Sequence, residues 1–196
     1  MALLLGLLKP LQLFNDVVLR IGRALAISAL ALMVCLILGQ VFFRYVLNDA
    51  PNWTEEGARF LMLWMTGLIA PLAYRQGGFV AIDMLERALG RVVSALLTLT
   101  LMTVALVVLI YCVQLGWSNV DSLTGRGRSA SLRIPLDIFG GEAIRFRNSW
   151  AYLSLFVGFV ALTIVNFELM LRQIITLLGR QDDLRPLNDG DVARAD

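Results

Sequence analysis

Long stretches without a charged side chain dominate the chain and predict its main elements. Residues 24–43, 92–120 and 148–167 contain no Asp, Glu, Lys or Arg. A helix needs about 20 mainly apolar residues to cross about 30 Å of hydrocarbon. Each stretch is therefore long enough to span a membrane, and the pattern predicts three transmembrane helices at about 24–43, 92–117 and 150–171.

A fourth helix is predicted from a weaker pattern. Residues 60–74 are uncharged but too short to cross a bilayer alone. Adding the preceding turns extends the helix to about 53–74, with its charged residues in the first turns. Asn52 is a suitable N-cap, and Glu55 suits the positive end of the helix dipole. Glu55 and Arg59 lie four residues apart, so we expect them to form an ion pair.

The segment at about 10–22 has apolar and polar residues on opposite sides of a helix. The apolar side comprises Leu11, Phe14, Val18, Ile21 and Leu25, and the polar side comprises Gln12, Asp16, Arg20 and Arg23. A helix with this pattern lies in the membrane interface with its apolar side towards the acyl chains. We therefore expect an amphipathic interfacial helix that leads into the first span.

The longest connection, residues 121–149, is rich in arginine. Its arginines are Arg126, Arg128, Arg133, Arg145 and Arg147. Within it, residues 136–146 are expected to form a short interfacial or re-entrant helix. The chain ends in a polar tail, residues 179–196, so the sequence predicts a single membrane domain over 1–178 followed by this tail.

Composition supports the membrane assignment. Hydrophobic residues make up 58% of the chain and charged residues only 16%, against about 25% charged in an ordinary soluble domain. The predicted fold class is an all-α polytopic membrane protein with four transmembrane helices and an N-terminal amphipathic interfacial helix. The net charge of +2 is carried by scattered residues, which form no basic stripe for nucleic acid.

The distribution of basic residues predicts the orientation. Four spans put both termini on one side of the membrane. More lysines and arginines fall in the terminal regions and the middle loop than on the opposite side. The positive-inside rule then favours both termini in the cytoplasm, although the five arginines of the long connection oppose this tendency.

Side chains that could support catalysis or metal binding are few. The chain has no histidine, which excludes bis-histidine haem sites and histidine-based zinc sites. Cys35 and Cys112 lie in apolar runs and are typical of small hydrophobic residues, with a disulfide or metal site as the alternative. Glu168 and Arg59 are the most inward ionisable groups, and Glu168 is expected to form a simple pair with Arg172 near the cytoplasmic exit. The sequence therefore predicts no catalytic residue, no metal site and no cofactor.

Polar residues inside the spans leave several functions open. Gln40, Gln114 and Asn166 could line a solute path, but such groups more often join helices by hydrogen bonds. We therefore favour a scaffold or accessory subunit. The alternative is an autonomous homo-oligomeric small transporter or channel. A membrane enzyme or redox subunit is a third hypothesis, and the absence of histidine and of clustered carboxylates counts against it.

A run of motifs resembles a known family. Gln40–Asn48 (QVFFRYVLN) ends the first span, and Trp53–Phe60 (WTEEGARF), followed by Trp64, opens the second. Tyr74–Asp83 (YRQGGFVAID) follows the second span. This combination resembles the small (Q-type, DctQ-like) membrane subunit of tripartite ATP-independent periplasmic (TRAP) transporters. The sequence departs from the family at Phe79, where a histidine is frequent, and in the longer connection before the last span.

The resemblance implies a function and partners. It implies a secondary active, sodium-coupled importer of an organic acid in the bacterial inner membrane. A large (M-type) membrane subunit would move the solute, a periplasmic substrate-binding protein would deliver it, and the small subunit would brace the large one among the membrane lipids. The residues implied at the subunit interface or in structural motifs are Arg44, Trp53, Glu55, Glu56, Arg59, Trp64, Arg75 and Asp83. Arg75 and Asp83 would organise the cytoplasmic turn. The arginines Arg126, Arg128 and Arg133 would contact the binding protein, or alternatively solvent and lipid headgroups.

Overall fold

The computed structural model describes residues 2–48, 52–76, 91–123, 128–134, 144–147 and 149–178. The elements in this part of the chain are α1 (Ala2–Val46), α2 (Asn52–Arg75), α3 (Arg91–Leu123), β1 (Arg128–Ile134), β2 (Ile144–Arg147) and α4 (Ser149–Leu177). Each helix contains a stretch long and apolar enough to cross a membrane, namely Pro10–Val46, Trp53–Arg75, Val93–Ser118 and Trp150–Leu177. The predicted fold class is confirmed: the chain is an all-α polytopic membrane protein, with one short pair of strands between its last two helices.

Helix α4 lies at the centre of the bundle. It packs against α1, α2 and α3, while α1 also packs along α2. The span in α4 is 28% buried, against 6–11% for the other three spans. Most apolar side chains on the outer surfaces of α1 and α3 are exposed, as expected where lipid rather than water is the solvent.

Helix α1 runs unbroken through the segment for which an interfacial helix was expected. A separate amphipathic helix at 10–22 is not seen, because the helical pattern continues without a breaking sequence into the first span. The polar residues Gln12 and Asn15 are buried, whereas Phe14 and Ile21 are 52% and 55% exposed. Most of the apolar side of this segment therefore faces away from the protein, while the buried face combines Gln12 and Asn15 with Leu19, and Arg20 and Arg23 are exposed.

Asn48 follows the end of α1 at Val46. Asn48 adopts a left-handed backbone conformation, with φ of 54°, which asparagine tolerates better than most residues other than glycine. Helix α2 then begins at Asn52, the residue expected to cap it. Helix α2 packs alongside α1.

Glycine residues set the crossing of α2 and α4. A Cβ atom added to Gly67 would lie 2.6 Å from the backbone oxygen of Ser154, and one added to Gly158 would lie 2.9 Å from the backbone oxygen of Gly67. The two backbones therefore touch at this point. Such close approach through small residues is how helices gain packing energy in lipid, where the hydrophobic effect does not drive association.

The connection between α3 and α4 differs from its prediction. A helix was expected over 136–146, but Ile144–Arg147 forms strand β2, which pairs antiparallel with β1. The reason is that apolar and basic residues alternate through Ile144–Arg147, which is the period of a strand and not of a helix. Residues 135–143, the rest of the expected helix, lie outside the described residues.

Candidate functional site

A buried ion network joins α1, α2 and α4 at one end of the bundle. Its centre is Glu168 on α4, which is 0% exposed. One carboxylate oxygen accepts hydrogen bonds from Arg75 Nη2 at 2.8 Å and from Arg172 Nε at 3.2 Å. The other oxygen accepts one from Asn15 Nδ2 at 2.5 Å. Arg75 Nη1 also donates to Asp16 Oδ1 at 2.5 Å, so Arg75 on α2 bridges carboxylates on α1 and α4.

The order of the helices explains why these residues meet. In an up-and-down arrangement, the beginning of α1 and the ends of α2 and α4 lie at the same end of the bundle. Arg75 is the last residue of α2, and the residues from α4 lie in its last three turns. The network contains two acidic and two basic side chains. Mutual pairing of this kind offsets the large cost of removing each charge from water.

The network corrects one sequence-based expectation. The predicted pair of Glu168 with Arg172 is confirmed, but Glu168 is not the simple pair at a helix exit that the sequence suggested. It is fully buried, and it binds side chains from two other helices. The side chain of Arg75 is 9% exposed and contacts α1 and α4; the turn that Arg75 was expected to organise lies outside the described residues, so that role stays a prediction.

The chemistry of the network is structural. Glu168 contacts two guanidinium groups and one amide, so its charge is already matched by groups of the same protein. Two buried donors, Arg75 Nε and Gln12 Nε2, have no hydrogen-bond partner. The arrangement suits a rigid joint between three helices rather than a site that binds and releases a solute.

A second polar contact joins α2, α4 and α3. Tyr74 donates its hydroxyl to Asn166 Oδ1 at 2.5 Å, and Asn166 Nδ2 donates to the backbone oxygen of Met102 at 3.0 Å. Asn166 is 0% exposed. Of the two roles considered for this residue, the observed contacts match the joining of helices. Gln40 is half-buried and Gln114 is exposed.

Replacing Asn166 with leucine is expected to lower the free energy of unfolding in detergent by about 1–2 kcal/mol, because the two hydrogen bonds that join α4 to Tyr74 on α2 and to Met102 on α3 are both lost. Thermal or SDS-induced unfolding measures the change. Thr163→Val is the matched control, since its hydroxyl bonds only within α4, to the carbonyl of Phe159. Equal stabilities of the two variants would contradict the proposed joining role.

The remaining predicted site residues are spread along the chain. The expected pair of Glu55 and Arg59 is confirmed at 2.5 Å, with side chains 57% and 73% exposed. Arg44 is exposed at the end of α1, while Trp53, Glu56 and Trp64 are half-buried. The indole nitrogen of Trp64 is buried without a hydrogen-bond partner. Arg128 and Arg133 belong to β1, and Asp83 and Arg126 lie outside the described residues. Of the described residues in this set, Arg44, Trp53, Glu55, Glu56 and Arg59 lie at the opposite end of the bundle from Arg75, and Trp64 lies near the middle of α2.

The two cysteines are not paired. Cys35 is exposed on α1 and Cys112 is half-buried on α3, and both are free thiols. Among the described residues, no three histidine, cysteine, aspartate or glutamate side chains are grouped in a way that could hold a metal ion. The alternative of a disulfide between Cys35 and Cys112 is therefore wrong.

Comparison with known proteins identifies the family. Residues 33–176 match the family described as tripartite ATP-independent periplasmic transporters, DctQ component. A protein of Haemophilus influenzae, named by inference as a TRAP transporter small permease protein, is 38% identical over 65 residues. That match covers 33% of this chain and 40% of the relative. The family is a component of a transporter and not an enzyme family. Because the family match extends over well more than half of the chain, the protein belongs to the DctQ component family of the tripartite ATP-independent periplasmic transporters.

Proposed function

We propose that this chain is the small membrane subunit of a secondary active, sodium-coupled TRAP transporter that imports an organic acid across the bacterial inner membrane. Its task is to brace the large M-type subunit in the membrane and to help dock the periplasmic substrate-binding protein. It carries neither the solute nor the sodium ion. Family membership supports the general role.

The observation that carries the proposal is how the chain uses its buried charges. Asp16, Arg75, Glu168 and Arg172 are matched to one another across three helices. A transport site for an anion needs cationic or polar groups that remain available to the solute, usually at a broken helix near the middle of the membrane. In the described part of the chain, the spans are unbroken helices, and the span in α3 carries no charged residue. These features favour a rigid support over a moving carrier.

The proposed contacts with partners lie at the end of the bundle opposite the ion network. Arg44, Trp53, Glu56 and Trp64 are proposed contacts for the large subunit, together with the exposed pair of Glu55 and Arg59. In this proposal Asp83 helps to shape the connection after α2. Arg126, Arg128 and Arg133, between α3 and α4, are the proposed contacts for the binding protein.

Affinity purification of the tagged chain from native membranes in mild detergent tests this function. Mass spectrometry should identify a large polytopic membrane protein in a ratio of about one to one. Glu55→Gln combined with Arg59→Gln should lower the recovery of that partner, whereas Gly39→Ala on α1 should not. Recovery of the chain alone as a defined homo-oligomer would contradict the accessory role. That outcome would favour the alternative of an autonomous small transporter or channel.

Both termini are proposed to lie in the cytoplasm, because more basic residues flank the spans on their side. Green fluorescent protein fused after residue 196 should therefore fluoresce, and alkaline phosphatase inserted within 135–143 should be active. A fluorescent insertion within 77–90 is the control, since that loop should share the side of the termini. Active phosphatase fused at the C-terminus would contradict this orientation and would place both termini on the opposite side of the membrane.

A further inference from the structure

Two exposed arginines lie side by side on α1 without a counter-charge. Arg20 and Arg23 are three residues apart, so their side chains are neighbours on the helix surface, and both are exposed. Asp16, four residues before Arg20, is suitably spaced for an ion pair within the helix, but its carboxylate pairs with Arg75 on α2 instead. Among the described residues, no carboxylate pairs with Arg20 or Arg23. Neighbouring positive charges repel each other, so a negatively charged ligand would stabilise this part of α1.

The length of the first span places these two arginines at a membrane surface. The candidate span Pro10–Val46 contains 37 residues, which is about 55 Å of helix and exceeds the hydrocarbon thickness of about 30 Å. At its far end Tyr45 is 80% exposed, and tyrosine is enriched where hydrocarbon meets the headgroups. Counted back from Tyr45, about 20 residues of helix cross the hydrocarbon. Arg23 and Arg20 follow within about 8 Å of helix, inside the headgroup region, which extends about 5–8 Å beyond the hydrocarbon.

Aromatic residues of two other helices support the boundary at Tyr45. Trp117 on α3 and Trp150 on α4 lie within one residue of the end of their own candidate spans, and they are 62% and 52% exposed. Tryptophan, like tyrosine, is enriched at the membrane interface. Three helices therefore mark the same surface, from which the depth of Arg20 and Arg23 is measured.

The buried arginines at the same end of the bundle are already paired. The side chains of Arg75 and Arg172 are 9% and 11% exposed, and they bind the carboxylates of Asp16 and Glu168. These contacts hold the helices together and leave neither guanidinium group facing the lipid. Among the side chains that the structure describes at this end, Arg20 and Arg23 are the arginines that face a ligand from outside the chain.

The face of α1 that carries these arginines continues into the hydrocarbon as an apolar stripe. Ile27, Leu30 and Val34 follow Arg23 at intervals of four, three and four residues, so they share one face of the helix with both arginines. They are 58%, 44% and 44% exposed. Val34 lies about 16 Å along the helix from Arg23, close to half the hydrocarbon thickness of about 30 Å, which is the depth of one leaflet. The stripe therefore matches an amphiphile with an anionic head and an acyl chain.

We propose that Arg20 and Arg23 together bind the phosphate group of an anionic phospholipid, whose acyl chain lies along Ile27, Leu30 and Val34. Arginine suits this ligand because its planar guanidinium group binds a phosphate through two parallel hydrogen bonds. The bound lipid supplies the missing counter-charge, and it fixes the depth of α1 in the bilayer. The inference does not depend on the proposed function, since lipid surrounds the chain whether or not a partner subunit is bound.

Native mass spectrometry of the purified full chain, titrated with phosphatidylglycerol or phosphatidylcholine in neutral detergent, tests the proposal. The wild-type chain should retain phosphatidylglycerol in preference to phosphatidylcholine. R20Q/R23Q should weaken phosphatidylglycerol binding about twenty-fivefold, at about fivefold for each arginine near an anionic surface. R20K/R23K should cause a smaller loss, since the charge remains but the two-bond geometry is lost. Inorganic phosphate at the same concentration should not displace the lipid, because it has no acyl chain.

The matched control is R44Q/R59Q, which removes the same charge from exposed arginines at the opposite end of the bundle. It should change the binding less than threefold. Added phosphatidylglycerol should raise the thermal unfolding midpoint of the wild type and of R44Q/R59Q but not that of R20Q/R23Q. All three should unfold at similar temperatures without lipid, since exposed charges contribute little to stability. Four results would each overturn the proposal: no preference for phosphatidylglycerol, unchanged binding in R20Q/R23Q, an equal loss in R44Q/R59Q, or displacement of the lipid by inorganic phosphate.

Discussion

Replacing Glu168 with alanine is expected to lower the free energy of unfolding of the protein in detergent by about 3–5 kcal/mol. The side chain is fully buried, and it contacts Asn15, Arg75 and Arg172. Its removal takes away a carboxylate that the largely buried guanidinium groups of Arg75 and Arg172 share. An uncompensated buried charge costs far more than the pair itself contributes. SDS-induced or thermal unfolding, followed by circular dichroism, measures this effect.

The matched control for Glu168 is Glu55→Ala, which breaks an exposed pair with Arg59 instead of a buried one. Exposed ion pairs contribute about 0–1 kcal/mol, so this variant should unfold close to the wild type. Glu168→Gln should fall between the two alanine variants, since the amide keeps one acceptor but loses the charge. If Glu168→Ala were no less stable than Glu55→Ala, the ion network would not hold the three helices together.

Replacing Gly67 with alanine is expected to destabilise the protein by about 1–3 kcal/mol or more, by forcing α2 away from α4. The added Cβ would lie 2.6 Å from the backbone oxygen of Ser154 and would also approach Gly158 across the crossing. A backbone atom cannot yield as the end of a side chain can. The same unfolding measurement applies, and a cysteine pair placed across the crossing would report the increased separation.

The control for Gly67 is Gly39→Ala on α1. A Cβ at Gly39 meets no atom within 4 Å, so the substitution should be neutral or stabilise the helix by up to about 1 kcal/mol. The two variants make the same chemical change and should shift stability in opposite directions. A stabilising effect of Gly67→Ala would show that α2 and α4 do not cross in backbone contact.

The four spans could be predicted from the sequence because the bilayer fixes their length and excludes charge from them. Each predicted span lies within one helix, but the helices extend further, as in α1, which begins at Ala2 rather than near residue 24. The length of an uncharged stretch reflects the thickness of the hydrocarbon layer. A helix, in contrast, can continue beyond that layer wherever the helical backbone conformation remains favourable. The ends of the helices therefore could not be predicted from hydropathy alone.

The ion network could be predicted only in part. The pairs Glu55–Arg59 and Glu168–Arg172 are four residues apart, so helical geometry alone predicts them. The contacts of Arg75 with Asp16 and Glu168 join residues 59 and 93 positions apart, and they depend on which helices are neighbours. One signal was available: Asp16, Arg75 and Glu168 all fall at the same end of the predicted bundle. The positions of the spans predict that these residues share one end of the bundle. They do not predict that α2 packs against both α1 and α4.

The strand pair was missed for a different reason. Residues 136–146 contain glycines and apolar residues that fit an interfacial helix, and the alternation that favours a strand covers only Ile144–Arg147. Four residues are too few to distinguish the period of a strand from that of a helix. The pairing of β2 with β1, which depends on a distant segment, decides the structure there.

Uptake by reconstituted vesicles is the most direct test of the claim that this chain supports transport without carrying solute itself. Vesicles containing this chain alone, with an imposed sodium gradient, should take up no radiolabelled acid from a panel of carboxylic acids. Vesicles that also contain the co-purified large subunit, with the soluble binding protein added, should accumulate one of them. Sodium-driven uptake by this chain alone would contradict the account and would make Gln40, Gln114 and Asn166 the first residues to examine as parts of a solute path.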